Sequence, residues 1–203
     1  MPPIRCVSLL IALAVGATPA TVASQAPHGR GAGSRAVVAP PEASQFDFLV
    51  GEWELVVVPK VSGLAARIHG APKLLGTWTA SRSFDGFGIQ DELRIVDGSG
   101  NPSSLSHTMR VYNAAAKRWD SATLDVYRAR FSTGSGQLAG GEMVMTATGT
   151  DTDGKSYLSR TRFHSIRRDS FILQQDRSMD RGRTWNEKVL RIEAKRAAAA
   201  PAR

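Results

Sequence analysis

Trp53-Glu54-Leu55-Val56-Val57-Val58 sends its side chains alternately to two sides, with Trp53, Leu55 and Val57 sharing one of them. A period of two is that of a β-strand, with alternate side chains on opposite faces. The same period returns in Leu74 to Phe84, Ile89 to Val96, Leu105 to Tyr112, Trp119 to Tyr127 and Met143 to Gly149. It continues through Tyr157 to Ile166, Phe171 to Arg177 and Trp185 to Ile192, and Arg128 to Leu138 adds a further candidate strand. Turn-forming clusters separate these runs: Asp85-Gly86, Asp97 to Pro102, Gly134-Ser135-Gly136, Gly140-Gly141, Asp151 to Gly154 and Asp180-Arg181-Gly182. Gly, Asn and Asp tolerate positive φ or bond their own backbone, so such clusters reverse a chain. The fold class is therefore all-β, a meander of about nine or ten antiparallel strands. With no covering helices, so large a sheet removes its edges by closing into an up-and-down barrel. A two-sheet sandwich is the alternative.

Alternation also sorts side chains by face, and a slip of one residue inverts the assignment. The apolar sets are Trp53, Leu55 and Val57; Gly76, Trp78 and Ala80; Ile89, Asp91, Leu93 and Ile95; and Leu105, His107, Met109 and Val111. Pointed inward, they make an apolar interior with two polar intrusions, Asp91 and His107. Barrels of this size can enclose a small ligand. The expected ligand-binding residues are therefore Trp53, Trp78, Asp91, Leu93, His107 and Met109, and the expected ligand is small and hydrophobic. Asp91 and His107 on neighbouring strands would also be placed for acid–base chemistry.

The ends of the 203-residue chain read differently. Arg5 followed by the apolar run Cys6 to Ala17, with small residues at Ala20, Ala23 and Ser24, has the form of a secretory signal peptide over 1–24. Residues 25–45 are rich in Ala, Gly, Pro and Ser, as in a disordered linker, and 194–203 read as a disordered basic tail. The folded domain is then 46–193, in a periplasmic or secreted protein with no membrane attachment after cleavage. The single cysteine, Cys6, leaves with the signal, so the mature chain has neither a disulfide framework nor thiolate chemistry. Of the formal net charge of +8, most lies in the ends; residues 46–193 carry 20 basic and 17 acidic residues. Arg160, Arg162, Arg167 and Arg168 are interleaved with Asp169, Asp176 and Asp180, which argues against a nucleic-acid partner.

Phe46-Asp47-Phe48-Leu49-Val50-Gly51-Glu52-Trp53 leads an aromatic plug through a glycine into the first strand. This resembles the opening of lipocalin-type (calycin) barrels. The span 46–193 further resembles the bacterial family called domain of unknown function 1579, through that opening, Arg110-Val111-Tyr112 before Trp119, and Asp169-Ser170-Phe171 running into a Trp-bearing hairpin. The resemblance implies a lipocalin-like barrel and no particular activity. Ser178-Met179-Asp180-Arg181-Gly182-Arg183-Thr184-Trp185 is similar to the Asp-box of sialidases. There the motif is a structural staple, and a single copy is expected to be a turn with its Trp packed inward.

No nucleophile elbow, His-Glu-x-x-His, phosphate loop or dinucleotide fingerprint occurs. Asp151-Thr152-Asp153-Gly154 lacks the third acid and the later Glu of a calcium loop and reads as a hairpin. Some lipocalin-type barrels, the nitrobindin-like proteins, hold haem through one histidine near their last strands. Here His164 shares its face with Arg160 and Arg162 and points to solvent, so no cofactor and no metal are expected. The expectation is an exported small-molecule-binding barrel, with a filled interaction module or an enzyme in the same cavity as rivals.

Overall fold

The structure is a computed structural model and describes residues 37–61, 70, 72, 74–151 and 153–198. The proposed signal peptide, and the linker as far as residue 36, lie outside these residues. Ten antiparallel strands follow one another: β1 Gly51–Pro59, β2 Leu74–Ser83, β3 Gly88–Val96, β4 Pro102–Asn113, β5 Arg118–Asp125, β6 Arg130–Ala139, β7 Glu142–Thr150, β8 Ser156–Arg167, β9 Ser170–Ser178 and β10 Asn186–Arg196. Each pairs with its chain neighbour, and β10 returns to β1 to close the barrel. The fold is the up-and-down barrel that the alternation predicts.

The barrel claims residues on both sides of 46–193. A single turn of 3-10 helix, Pro41–Ser44, buries Ala43, and β10 runs on to Arg196, opposite Trp53. The guanidinium of Arg196 lies 4.2 Å from the Trp53 ring centre and donates to the carbonyls of Arg168 and Val50, covering this end of the barrel. The second 3-10 turn, Asp47–Leu49, is the plug. Phe46 is fully buried edge-on to Trp119 (4.8 Å) and Phe163 (5.8 Å), Phe48 meets Phe171, and Trp53 Nε1 donates to the Leu49 carbonyl at 2.8 Å. Fully burying each such aromatic ring contributes on the order of 1.5–3 kcal/mol. This end is packed solid.

Gly134-Ser135-Gly136, expected as a turn, lies in the middle of β6. Gly136 stands there because β6 crosses close to β7, and a Cβ would run into the Val144 carbonyl and the Met145 side chain. Pairing between β6 and β7 covers Gly134–Ala139 and Glu142–Ala147 only. Beyond Gly134 and Ala147 the two strands part, while each stays bonded to its other neighbour as far as Arg130 and Thr150.

The Ser178–Trp185 motif is a self-bonded loop. The Ser178 hydroxyl accepts from the Gly182 amide at 2.7 Å, and the Asp180 carboxylate accepts from the Thr184 amide (2.8 Å) and hydroxyl (2.6 Å). Its Trp does not pack inward. Trp185 lies outside the barrel against the guanidinium of Arg160, 4.4 Å from the ring centre.

Candidate functional site

Directly opposed residues of neighbouring strands share a face, so rungs across the barrel show which side chains enter it. One rung runs Ala80, Asp91, Thr108, Thr123 and Ser132 through β2 to β6. Another runs Ser121, Gly134, Ala147, Ser159 and Arg177 through β5 to β9. Trp53, Trp78, Asp91 and Leu93 face inward as expected, and the first three are buried.

His107 and Met109 do not. The inward residues of β4 are Ser106, Thr108, Arg110 and Tyr112, while His107 and Met109 are exposed outside. A bulge causes the change. Val96 faces Pro102, but Ile95 faces Ser104, so Ser103 is an extra residue in β4. Without it Asp91 would stand opposite His107; with it Asp91 stands opposite Thr108. The apolar residues Leu105, Met109 and Val111 made the wrong face of β4 look like the buried one. The expected acid–base pair is absent, since His107 Nε2 instead approaches Glu92 on the outer wall at 3.2 Å.

Asp91 has other partners. Its carboxylate accepts from Trp78 Nε1 at 2.8 Å and forms an ion pair with Arg110. Burial pushes the Arg110 guanidinium below its ordinary range, and the adjoining carboxylate supports its charge. Arg110 also lies 5.3 Å over the Phe46 ring, so the pair joins the wall to the plug. A neutralised pair packed under an aromatic plug is structural rather than catalytic.

Away from the plug the interior has two different sides. Leu55, Val57, Ile95, Leu173 and Ile192 form a buried apolar wall. Facing them from β4 to β9 are small or polar side chains, including Ser106, Ser121, Thr123, Ser132, Thr161 and Gln175, and these six keep part of their surface open to water. The interior here is amphipathic, and the expected apolar lining with Asp91 and His107 as its two polar intrusions is corrected. Sequence reading missed this wall because hydroxyl-rich strands show no apolar alternation; a consistent Ser/Thr/Gly face on successive strands was the available signal.

Where β6 and β7 part, a cavity of about 280 Å³ opens through the wall, lined by Asp125, Arg130, Ser132, Gly149 and Tyr157 among others. Arg130 spans it, donating to the carbonyls of Thr150 (3.3 Å) and Asp151 (3.0 Å) in place of ladder hydrogen bonds. A larger groove of about 580 Å³ lies on the outer wall, with His107, Met109 (50% exposed), Leu124 and Phe131 (78% exposed) along it. On the outside of β8 and β9, the buried Asp176 accepts from Arg160, Gln174 and the Lys188 amide. Burial works to raise its pKa, and these donors outweigh it and hold the group low.

No family model matches the chain, and no curated protein matches it significantly.

Proposed function

We propose that this is an exported carrier or sensor that binds one small amphipathic molecule in the half of the barrel away from the plug. One observation carries the reading: in a closed barrel packed solid at one end, the inward hydroxyl residues Ser106, Ser121, Thr123, Ser132 and Thr161, on β4, β5, β6 and β8, are only partly buried. A structural barrel would fill that space with large apolar side chains, as the plug end does. The apolar wall opposite offers the ligand's body a surface, and the hydroxyls offer it orientation. Leu93 sits at the join between the two walls. Export rests on Arg5 and the apolar run Cys6 to Ala17. Kinship with domain of unknown function 1579 is supported by the aromatic opening leading into a ten-stranded barrel.

Native mass spectrometry of the mature protein, purified gently from its source, tests the binding reading. A small molecule present at near-stoichiometric amount in wild type and absent from a folded Ser121→Trp variant is the expected result. A molecule retained unchanged by that variant overturns the site. The outer groove favours a second reading, a contact surface for a protein partner, through the exposed Met109 and Phe131. That reading predicts that Phe131→Ser abolishes a co-purifying protein and leaves small-molecule occupancy unchanged.

A further inference from the structure

Arg177 projects inward from β9, opposite Ser159. Its guanidinium carbon lies 4.0 Å from the centre of the Tyr157 ring. Tyr157 in turn lies across its strand partner Gly149, where any Cβ would collide with the ring. The three residues form a shelf on the inner wall, running from β7 to β9 beside the opening between β6 and β7.

Other arginines are engaged. Arg110 is paired with Asp91, Arg160 and Arg162 share Asp176, Arg128 holds Asp125, and Arg130 and Arg196 bond backbone carbonyls. Among the described residues no carboxylate and no hydrogen-bond acceptor meets Arg177, and its Nε is buried without a partner. Stacking occupies the flat face of a guanidinium and leaves its edge donors free. A cation held in this way, with no carboxylate of its own, favours an anion beside it. The fork of donors matches a planar two-oxygen group.

We infer that the ligand is a small organic carboxylate, its charged end on Arg177 above Tyr157 and its body between the hydroxyl wall and Leu93. The inference rests on the open half being the binding site.

The test uses benzoate and benzyl alcohol as probes, titrated against the mature protein by saturation-transfer NMR. Benzoate binds about tenfold or more tightly than benzyl alcohol, as expected for a charge-assisted pair. Arg177→Gln removes that preference and leaves benzyl alcohol binding unchanged. Arg177→Lys, a milder change should the first variant not fold, weakens benzoate severalfold, because the ammonium lacks the fork. Equal binding of the two probes to wild type, or a benzoate preference that survives both variants, overturns the inference. Ser121→Trp separates the two levels. If it blocks benzyl alcohol while benzoate shows no advantage, the cavity stands and the carboxylate reading falls. If neither probe binds wild type, or both bind this variant normally, both readings fall.

Discussion

Asp91 and Arg110 form an ion pair between β3 and β4 inside the barrel, with the Asp91 carboxylate almost wholly shielded from water. Removing one member of such a pair strands the other. Arg110→Met should cost about 3–5 kcal/mol, measured by urea unfolding. The stranded Asp91 then carries a pKa raised by burial above its unfolded value near 3.9. The deficit should therefore be smallest below about pH 4 and grow as pH rises through that value. Adding Asp91→Asn should recover part of the loss at pH 7; no recovery would mean that the pair is not the unit at work.

Asp180 gives a pH dependence of the opposite sign. The Thr184 hydroxyl and amide, with the Ser178 hydroxyl, pull its carboxylate down to about 2. A depressed folded-state pKa contributes stability that is complete above the unfolded value near 3.9 and is lost as pH falls towards about 2. The difference in melting temperature between wild type and Asp180→Asn should be constant from about pH 5 to 7, shrink below about 4 and vanish near 2. A difference independent of pH would show that the carboxylate charge has no part in the loop.

His107 tests the placement of β4. As an outward side chain beside the exposed Glu92, its replacement by Ala should change stability by less than about 0.5 kcal/mol. It should also leave benzoate binding unchanged. A loss of several kcal/mol would put His107 back in the core.

Phe46 tests the plug. It is fully buried against Trp119 and Phe163 and lies beneath Arg110, so Phe46→Ala should cost about 3–5 kcal/mol in equilibrium unfolding. A loss below about 1 kcal/mol would mean that the barrel end closes without it.

Much of this was legible from residue alternation. The barrel, the plug before Trp53, and the inward placement of Trp78, Asp91 and Leu93 all follow from period two and a glycine entering a strand. Two things were not. The bulge at Ser103 is one residue whose effect on register is invisible without its partner strand, and it decides whether His107 or Thr108 meets Asp91. The hydroxyl wall was hidden for a different reason. Strands such as β6, Arg130–Ala139, bury no large apolar side chains, and the part of β6 reading Gly-Ser-Gly is indistinguishable from a turn when hydropathy is the guide.

The parting of β6 from β7 has a mechanical meaning. A closed barrel resists widening because every strand is bonded on both sides, and enlarging it breaks a ladder. Along Arg130–Thr133 and Thr148–Thr150 that ladder is already missing, and one arginine side chain bridges the gap. This is a seam. Fewer hydrogen bonds must break to widen the wall there than where neighbouring strands stay paired. Backbone amides facing the seam should therefore exchange with solvent long before those of Trp53–Pro59 and Leu190–Arg196, where β1 and β10 pair without a break.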